Sequence, residues 1–203
     1  MEAPEPDLSM EEKRDQLNEI YDEFERKAAS YKTDAACGKG CAYCCADAGS
    51  IDITTLEGLA IRQEILRLPR PLQLKAKKAL ERDHKRREKG QPNPCPFLMK
   101  NQACMIYNQR PFACRRIYSL HVCNAERPPV LHRPVMKLAD ETIRRLQILD
   151  DTGYTGHISY ILYMLENSKF LETYLAGEHR PEEIMQFGKA HRIFINRSVR
   201  QNP

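Results

Sequence analysis

No apolar run in the 203-residue sequence comes near the roughly 20 residues that a membrane-spanning helix needs, which excludes a helical membrane segment. The first residues, Met1-Glu-Ala-Pro-Glu-Pro-Asp7, are acidic. They lack the positive and apolar stretches of a secretory signal, so the expected location is cytoplasmic. Tryptophan is absent, and a net charge of +4 is too small to imply a nucleic-acid partner by itself. There is no glycine-rich phosphate loop and no GxSxG, and His84, His132, His157, His179 and His191 form neither H-x3-H nor HExxH. The signatures of phosphate-binding loops, serine hydrolases and zinc peptidases are therefore all missing. No internal repeat and no run of alternating strands is present. With 41% hydrophobic and 30% charged residues, the chain is slightly polar for a globular protein and far from a disordered composition. Its length suits one domain, at most with an extension.

One further absence organises the chain: no cysteine lies outside two groups. The first is Cys37-Gly-Lys-Gly-Cys41-Ala-Tyr-Cys44-Cys45, four thiols within nine residues. The second is Cys95, Cys104, Cys114 and Cys123, with gaps of eight, nine and eight residues. Gly38 and Gly40 separate Cys37 from Cys41, and access to φ > 0 permits a tight turn that aims several sulfurs at one centre. Cys44 and Cys45 are adjacent, and neighbouring side chains rarely converge on one small ion. One of them is expected to face a second metal, to bridge, or to stay a spare thiol. The gaps of the second group are too long for a single knuckle. They fit successive proline-stiffened loops folded over a shared centre, an irregular path that Pro128, Pro129 and Pro134 continue.

Around these loops the sequence reads as helix. Ser9-Met-Glu-Glu12 is a capping box, and its helix runs to about Tyr31 with an apolar stripe of Leu17, Ile20, Tyr21 and Phe24. After the short alternating Ile51-Asp-Ile53, Thr54-Thr-Leu-Glu57 forms a second capping box. It opens a helix to about Leu68, striped by Leu56, Leu59, Ala60, Gln63 and Leu66 and stopped by Pro69 and Pro71. A strongly basic helix follows from about Pro71 to Lys89, with Gly90 as its C′ residue. It turns Leu72, Leu74, Ala79 and Leu80 inward. Glu81, Asp83 and Glu88 dilute its charge, so a solvated face is expected rather than a surface for RNA or an acidic protein. Further helices are expected from Asp140 to about Asp151 (Ile143, Leu146, Ile148, Leu149), from His157 to about Leu175, and from Pro181 to about Asn196, with stops at Gly153 and Gly177. The fold class is mainly α: a small helical domain with an irregular cysteine-rich metal-binding core. Residues 1–8 are expected to form a flexible N-terminus and residues 9–203 a single helical domain. Within it, 35–125 is the cysteine-cluster region and 136–197 a C-terminal helical extension.

In a reducing compartment clustered cysteines act as ligands or redox groups rather than disulfides. Buried free thiols are common in cores, but eight thiols with none scattered point to metal. Cys37, Cys41, Cys44, Cys45, Cys95, Cys104, Cys114 and Cys123 are the candidate ligands. A pair of four-thiolate zinc sites would use all eight sulfurs. An iron–sulfur cluster of the [4Fe–4S] kind is also held by thiolates, often in irregular loops followed by proline, as at Cys95-Pro96, and it is the favoured cofactor. Tyr43, Phe97, Leu98, Ile106, Tyr107 and Phe112 would shield such a centre. Forty-nine residues holding two helices separate Cys45 from Cys95, and an αα-hairpin returns the chain near its start. One shared centre is therefore expected, with Cys41, Cys44, Cys104 and Cys114 as its first ligands. Cys37-x3-Cys41-x2-Cys44 also has the spacing of radical-SAM enzymes, but the repeated strand–helix units of that barrel are absent.

The first cysteine run, followed by Cys95-Pro-Phe-Leu and Cys104-x-Ile-Tyr-x-x-Arg-Pro-x-x-Cys114-Arg, resembles the YkgJ-like cysteine-cluster family, whose CxxCxxCC core is associated with zinc or iron chelation. The resemblance covers roughly residues 35 to 125. It departs from the family pattern in having three residues, not two, after the first cysteine. It implies metal chelation. A related domain occurs in a flagellin lysine methylating enzyme, which adds a protein- or small-molecule-modifying metalloenzyme as an alternative. A structural or electron-transfer metal site is the leading expectation, and a redox or acidic protein partner is the class of partner it implies. A metal-stabilised interaction module using the basic helix is the third reading. Arg110 and Arg115 flank Cys114 and are expected either to neutralise an anionic centre or to cap loop carbonyls. Tyr43 and Tyr107 read as packing, and His121 as a surface residue before a ligand.

Overall fold

Two capping boxes start the two helices that frame the molecule. A computed structural model describes residues 8–38, 40–46, 49–91, 94–178, 186, 190 and 197–198. Helix α1, Met10–Ala28, begins where the Ser9 hydroxyl accepts the Glu12 amide at 3.3 Å and the Glu12 carboxylate accepts the Ser9 amide at 2.8 Å. A 3-10 turn, Ala29–Tyr31, carries it to the expected end. Leu17, Ile20, Tyr21 and Phe24 are all buried. After the single turn α2 (Tyr43–Ala46) and strand β1 (Asp52–Thr54), helix α3 (Thr55–Arg67) opens with the reciprocal Thr54–Glu57 box. Helix α4, Arg70–Arg87, starts at Pro69 and stops at Gly90, whose φ of +67° only glycine adopts readily.

A 3-10 turn (Tyr107–Gln109) and the short α5 (Phe112–Arg115) lie in the loops of the second cysteine group. Helix α6 (Arg133–Leu149), strand β2 (Tyr154–His157), α7 (Ile158–Leu165), α8 (Ser168–Leu175) and β3 (Arg197–Ser198) complete the described chain. The strands form an antiparallel sheet in the order β1-β2-β3, with Ile53 opposite Gly156 and Thr155 opposite Arg197. The chain is mainly α, as expected, with its cysteine-rich loops packed against the helices.

Two apolar clusters fill the interior. In one, α1 packs through Leu17, Tyr21 and Phe24 on Leu56 and Ala60 of α3, Phe112 of α5, and Val135, Ala139 and Leu146 of α6. In the other, Ile53, Leu59 and Ile61 meet Phe97, Ile106, Ile158, Ile161 and Leu165. Gly58 sits where α3 crosses α7: a Cβ there would lie 2.5 Å from the Ile161 side chain.

Several expectations are corrected. The small sheet was not foreseen. Residues 157–175 are not one helix: β2 runs into α7, and Asn167 then caps α8 by accepting the Phe170 amide at 3.1 Å. Helix α6 starts at Arg133, with Pro134 in its first turn where the missing N–H costs nothing. Leu66, Leu74 and Ile148 face outward, at 57%, 46% and 72% exposure. Leu72 and Leu80 of α4 pack against the core as expected, and its fully buried residues are Ala76 and Asp83. A buried carboxylate breaks the apolar pattern by which a helix face is read. Asp83 is matched by Arg87, whose Nε donates to it at 3.0 Å, and by the Ser159 hydroxyl. The expected helix 181–196 lies outside the described residues, apart from Gln186 and Ala190.

Two buried carboxylates fix the start of α3. Glu57 Oε1 accepts the Tyr21 hydroxyl at 2.6 Å and the Phe112 amide at 2.8 Å, while Oε2 accepts the Thr54 amide at 2.8 Å. Asp150 accepts the Leu56 amide and the Tyr174 hydroxyl, each at 2.8 Å. Burial pushes its carboxyl up to about 7 despite those hydrogen bonds. Replacing Glu57 with alanine strands three buried donors, and the expected loss in urea unfolding is about 3–5 kcal/mol. Asp150 tests the electrostatics. Its folded pKa lies above its ordinary value of 3.8, so the folded state holds the proton more tightly. That stabilisation is complete below the ordinary value and is lost as pH rises toward 7. The stability difference between wild type and Asp150→Asn should fall across that window and stay level above it.

Candidate metal centre

The turn α2 decides how the first four thiols are shared out. Successive residues of a helix are rotated by about 100°, so Cys44 and Cys45 face different directions. Cys45 faces the core. Its carbonyl accepts the Cys95 amide at 2.7 Å, and the two thiols hydrogen-bond to each other. That bond draws the Cys45 thiol down to about 7, against its burial and with help from the Arg110 charge; it pushes Cys95 up. The backbone amides of Phe97 and Ile106 hydrogen-bond to the sulfurs of Cys95 and Cys104, each two residues earlier in the chain. Cys114, on α5, is pushed up to about 12 by burial, with Cys45 and Cys104 as its thiol neighbours and Arg110 opposing. Cys45, Cys95, Cys104 and Cys114 thus form one neighbourhood, and all four pack in the Ile53–Phe97–Ile161 cluster.

Cys44 faces the other way. Burial pushes its thiol up to about 11, and the like charges of Cys123, Cys37, Cys45 and Cys41 add to that. Cys37 has Cys41 and Cys123 beside it. Its sulfur accepts the Ser119 amide at 3.2 Å, while Ala36 donates to the Ser119 carbonyl at 2.8 Å. The chain turns between Cys37 and Cys41 at Gly40, with φ +90°. Cys37, Cys41, Cys44 and Cys123 form a second neighbourhood, in which Cys37 and Cys41 are exposed. It belongs to neither apolar cluster.

Each neighbourhood draws on both sequence groups, yet they are two. Cys41 and Cys44, expected at one centre with Cys104 and Cys114, belong to a different set. Among the described residues, no three or more His, Cys, Asp or Glu side chains stand ready to hold a metal ion as they lie. The Cys37 sulfur instead accepts the Ser119 amide, and the Cys123 thiol donates to the His121 carbonyl at 3.7 Å. The donor chemistry fits the group: eight sulfurs, with backbone N–H groups at Cys37, Cys95 and Cys104, suit thiophilic zinc or iron rather than magnesium or calcium.

The arginines divide. Arg115 caps loop carbonyls, donating to Arg110 and Asn108 oxygens at 2.9 Å, and its guanidinium lies 4.4 Å over the Tyr21 ring. Arg110 lies 4.4 Å over Tyr107 and 3.7 Å from a Glu25 oxygen, and its charge favours the thiolates of Cys45, Cys104 and Cys114. Tyr107 is 59% exposed and packs little, whereas Phe97, Ile106 and Phe112 are buried beside the inner thiols. His121 Nε2 lies 3.4 Å from the Arg127 carbonyl. The amides of Phe97, Ile106 and Ser119 carried no sequence signal, because every residue but proline has one.

Residues 36–129 match the family model CxxCxxCC, described as a "Putative zinc- or iron-chelating domain". This segment holds all eight cysteines. No curated protein matches the chain, and no solved structure does.

Arg110→Gln removes a positive charge from the inner thiols and so raises their affinity for protons. In protein loaded with zinc, the midpoint of acid-induced metal release should move upward, by about half a pH unit or more, as followed with a colorimetric chelator.

Proposed function

We propose that this is a cysteine-cluster metal protein of the cytoplasm, whose thiolates hold zinc or iron at a structural or electron-transfer site. The observation that supports it best is the sorting of eight thiols into two sets of four, with amide donors beside the sulfurs of Cys37, Cys95 and Cys104. Cys45, Cys95, Cys104 and Cys114 would hold one centre, and Cys37, Cys41, Cys44 and Cys123 the other. Zinc at such a set would cross-link the loops that carry its ligands; an iron–sulfur cluster, the favoured reading, would add one-electron chemistry. In either case the protein supplies four thiolates per centre, N–H groups that stabilise their charge, and Arg110 as a counter-ion. Because no preformed site exists in the unfolded chain, binding energy becomes folding energy.

Anaerobic purification with metal analysis and an absorbance spectrum tests this. Bound iron with a brown chromophore, or bound zinc without colour, is expected. Cys44→Ser and Cys114→Ser should each remove a separate share of the metal, and the double variant should lose the sum, since the two sites share no ligand. Metal-free protein that melts at an unchanged temperature would overturn the proposal.

A further inference from the structure

The two thiol sets differ in one property that governs how a bound metal behaves: how each is joined to the core. Cys95 is 8% exposed. Cys45, Cys104 and Cys114 are partly buried and pack on the same cluster as Ile53, Phe97, Ile158 and Leu165. Around them, Cys45 O binds Cys95 N, Leu98 pairs with Cys104 in an antiparallel bridge, and Glu57 holds the Phe112 amide at the start of the turn that carries Cys114. Opening this set to solvent means separating α3, α5 and the loops between them.

The other set is built differently. Cys37 and Cys41 are exposed, and Cys44 and Cys123 half-buried. The flanking Gly38 and Gly40 have open space where a Cβ would be. Val122, beside Cys123, is 78% exposed. The segments are joined to the body through Ala35 and Leu120, which pack on the Leu17–Phe112 cluster, the Ala36–Ser119 and Leu120–Val130 backbone bonds and the Ser119 amide on Cys37, while the sulfurs themselves stay outside both clusters. An incoming thiol or chelator reaches Cys37 and Cys41 without any element moving.

We infer that Cys45, Cys95, Cys104 and Cys114 form a closed structural site, while Cys37, Cys41, Cys44 and Cys123 form an exchangeable site from which a thiophilic metal ion passes to and from external ligands. The inference rests on the metal-binding reading above. The exchange is a ligand substitution without electron transfer. An external thiolate bonds to the ion as a protein thiolate leaves and takes up a proton, and the reverse loads the site. Departure from the inner set requires a sub-global opening, whereas departure from the outer set does not.

The test uses the full chain loaded anaerobically with zinc and then mixed with excess colorimetric chelator. Two phases are expected, each about half of the zinc, the first about tenfold or more faster than the second. After the first phase the protein should still melt cooperatively, with a smaller fall in melting temperature than the second phase brings, and iodoacetamide should label Cys37, Cys41, Cys44 and Cys123 while the other four stay protected. Cys41→Ser should abolish the fast phase alone. Release of two zinc ions in one phase, loss of the cooperative melting transition with the first phase, or labelling spread over all eight cysteines would overturn the inference and leave metal binding intact. Failure to retain any zinc or iron would overturn both.

Discussion

The carboxylate of Glu57 meets three elements at once, and the positions of the others follow from it. It closes the capping box of α3, takes the Tyr21 hydroxyl from α1, and takes the first amide of α5. Glu57 is 3% exposed. A charge so buried is tolerated only when its lone pairs are filled, so the three donors must stay where they are. The backbone of α5 is thereby set against α1 and α3, and with it Cys114 and the Arg115 side chain that caps the preceding loop. Asp150 acts in the same way on the next amide of α3, tying α6 and α8 to it through Leu56 and Tyr174.

A second constraint is the one turn of helix at Tyr43–Ala46. Had Cys44 and Cys45 been in an extended loop, flexible dihedrals would have left one centre open to both. In a helical turn they diverge, and the following loops are apportioned accordingly: residues 95–114 close over Cys45, and residues 119–123 close over Cys44. The unequal burial of the two sets has the same origin. Residues 95–114 include Phe97, Ile106 and Phe112, whose burial pulls their cysteines inward. In the stretch before Cys123, Tyr118 and Leu120 pack on the Leu17–Phe112 cluster, but Val122 beside the cysteine is 78% exposed and Cys123 itself belongs to neither cluster.

Like charges give the thiol sets their electrostatic character. Four thiols in a partly buried space resist ionisation, and the elevation of Cys44 and Cys114 reflects burial first and neighbouring sulfurs second. A cation supplied at the centre reverses that balance. Arg110 supplies part of it on the inner side only.

What the sequence determined by itself was local. The two capping boxes, the glycine stop at Gly90, the turn at Gly40 and the stripe of α1 depend on neighbours within a few residues, and spacing alone reveals them. The clustering of cysteines marked the chelating segment for the same reason, since composition needs no coordinates. The partition of the thiols was not legible, because it depends on which long-range loop meets which side of α2. Asp83 was read as part of a solvated face because, although Arg87 is local, its burial and its Ser159 partner 76 residues away depend on tertiary contacts. The sheet escaped notice because β1 and β2 are three and four residues long and pair across a hundred residues. Strands so short carry no periodicity of their own, and only the packing of α3 against α7 brings them side by side.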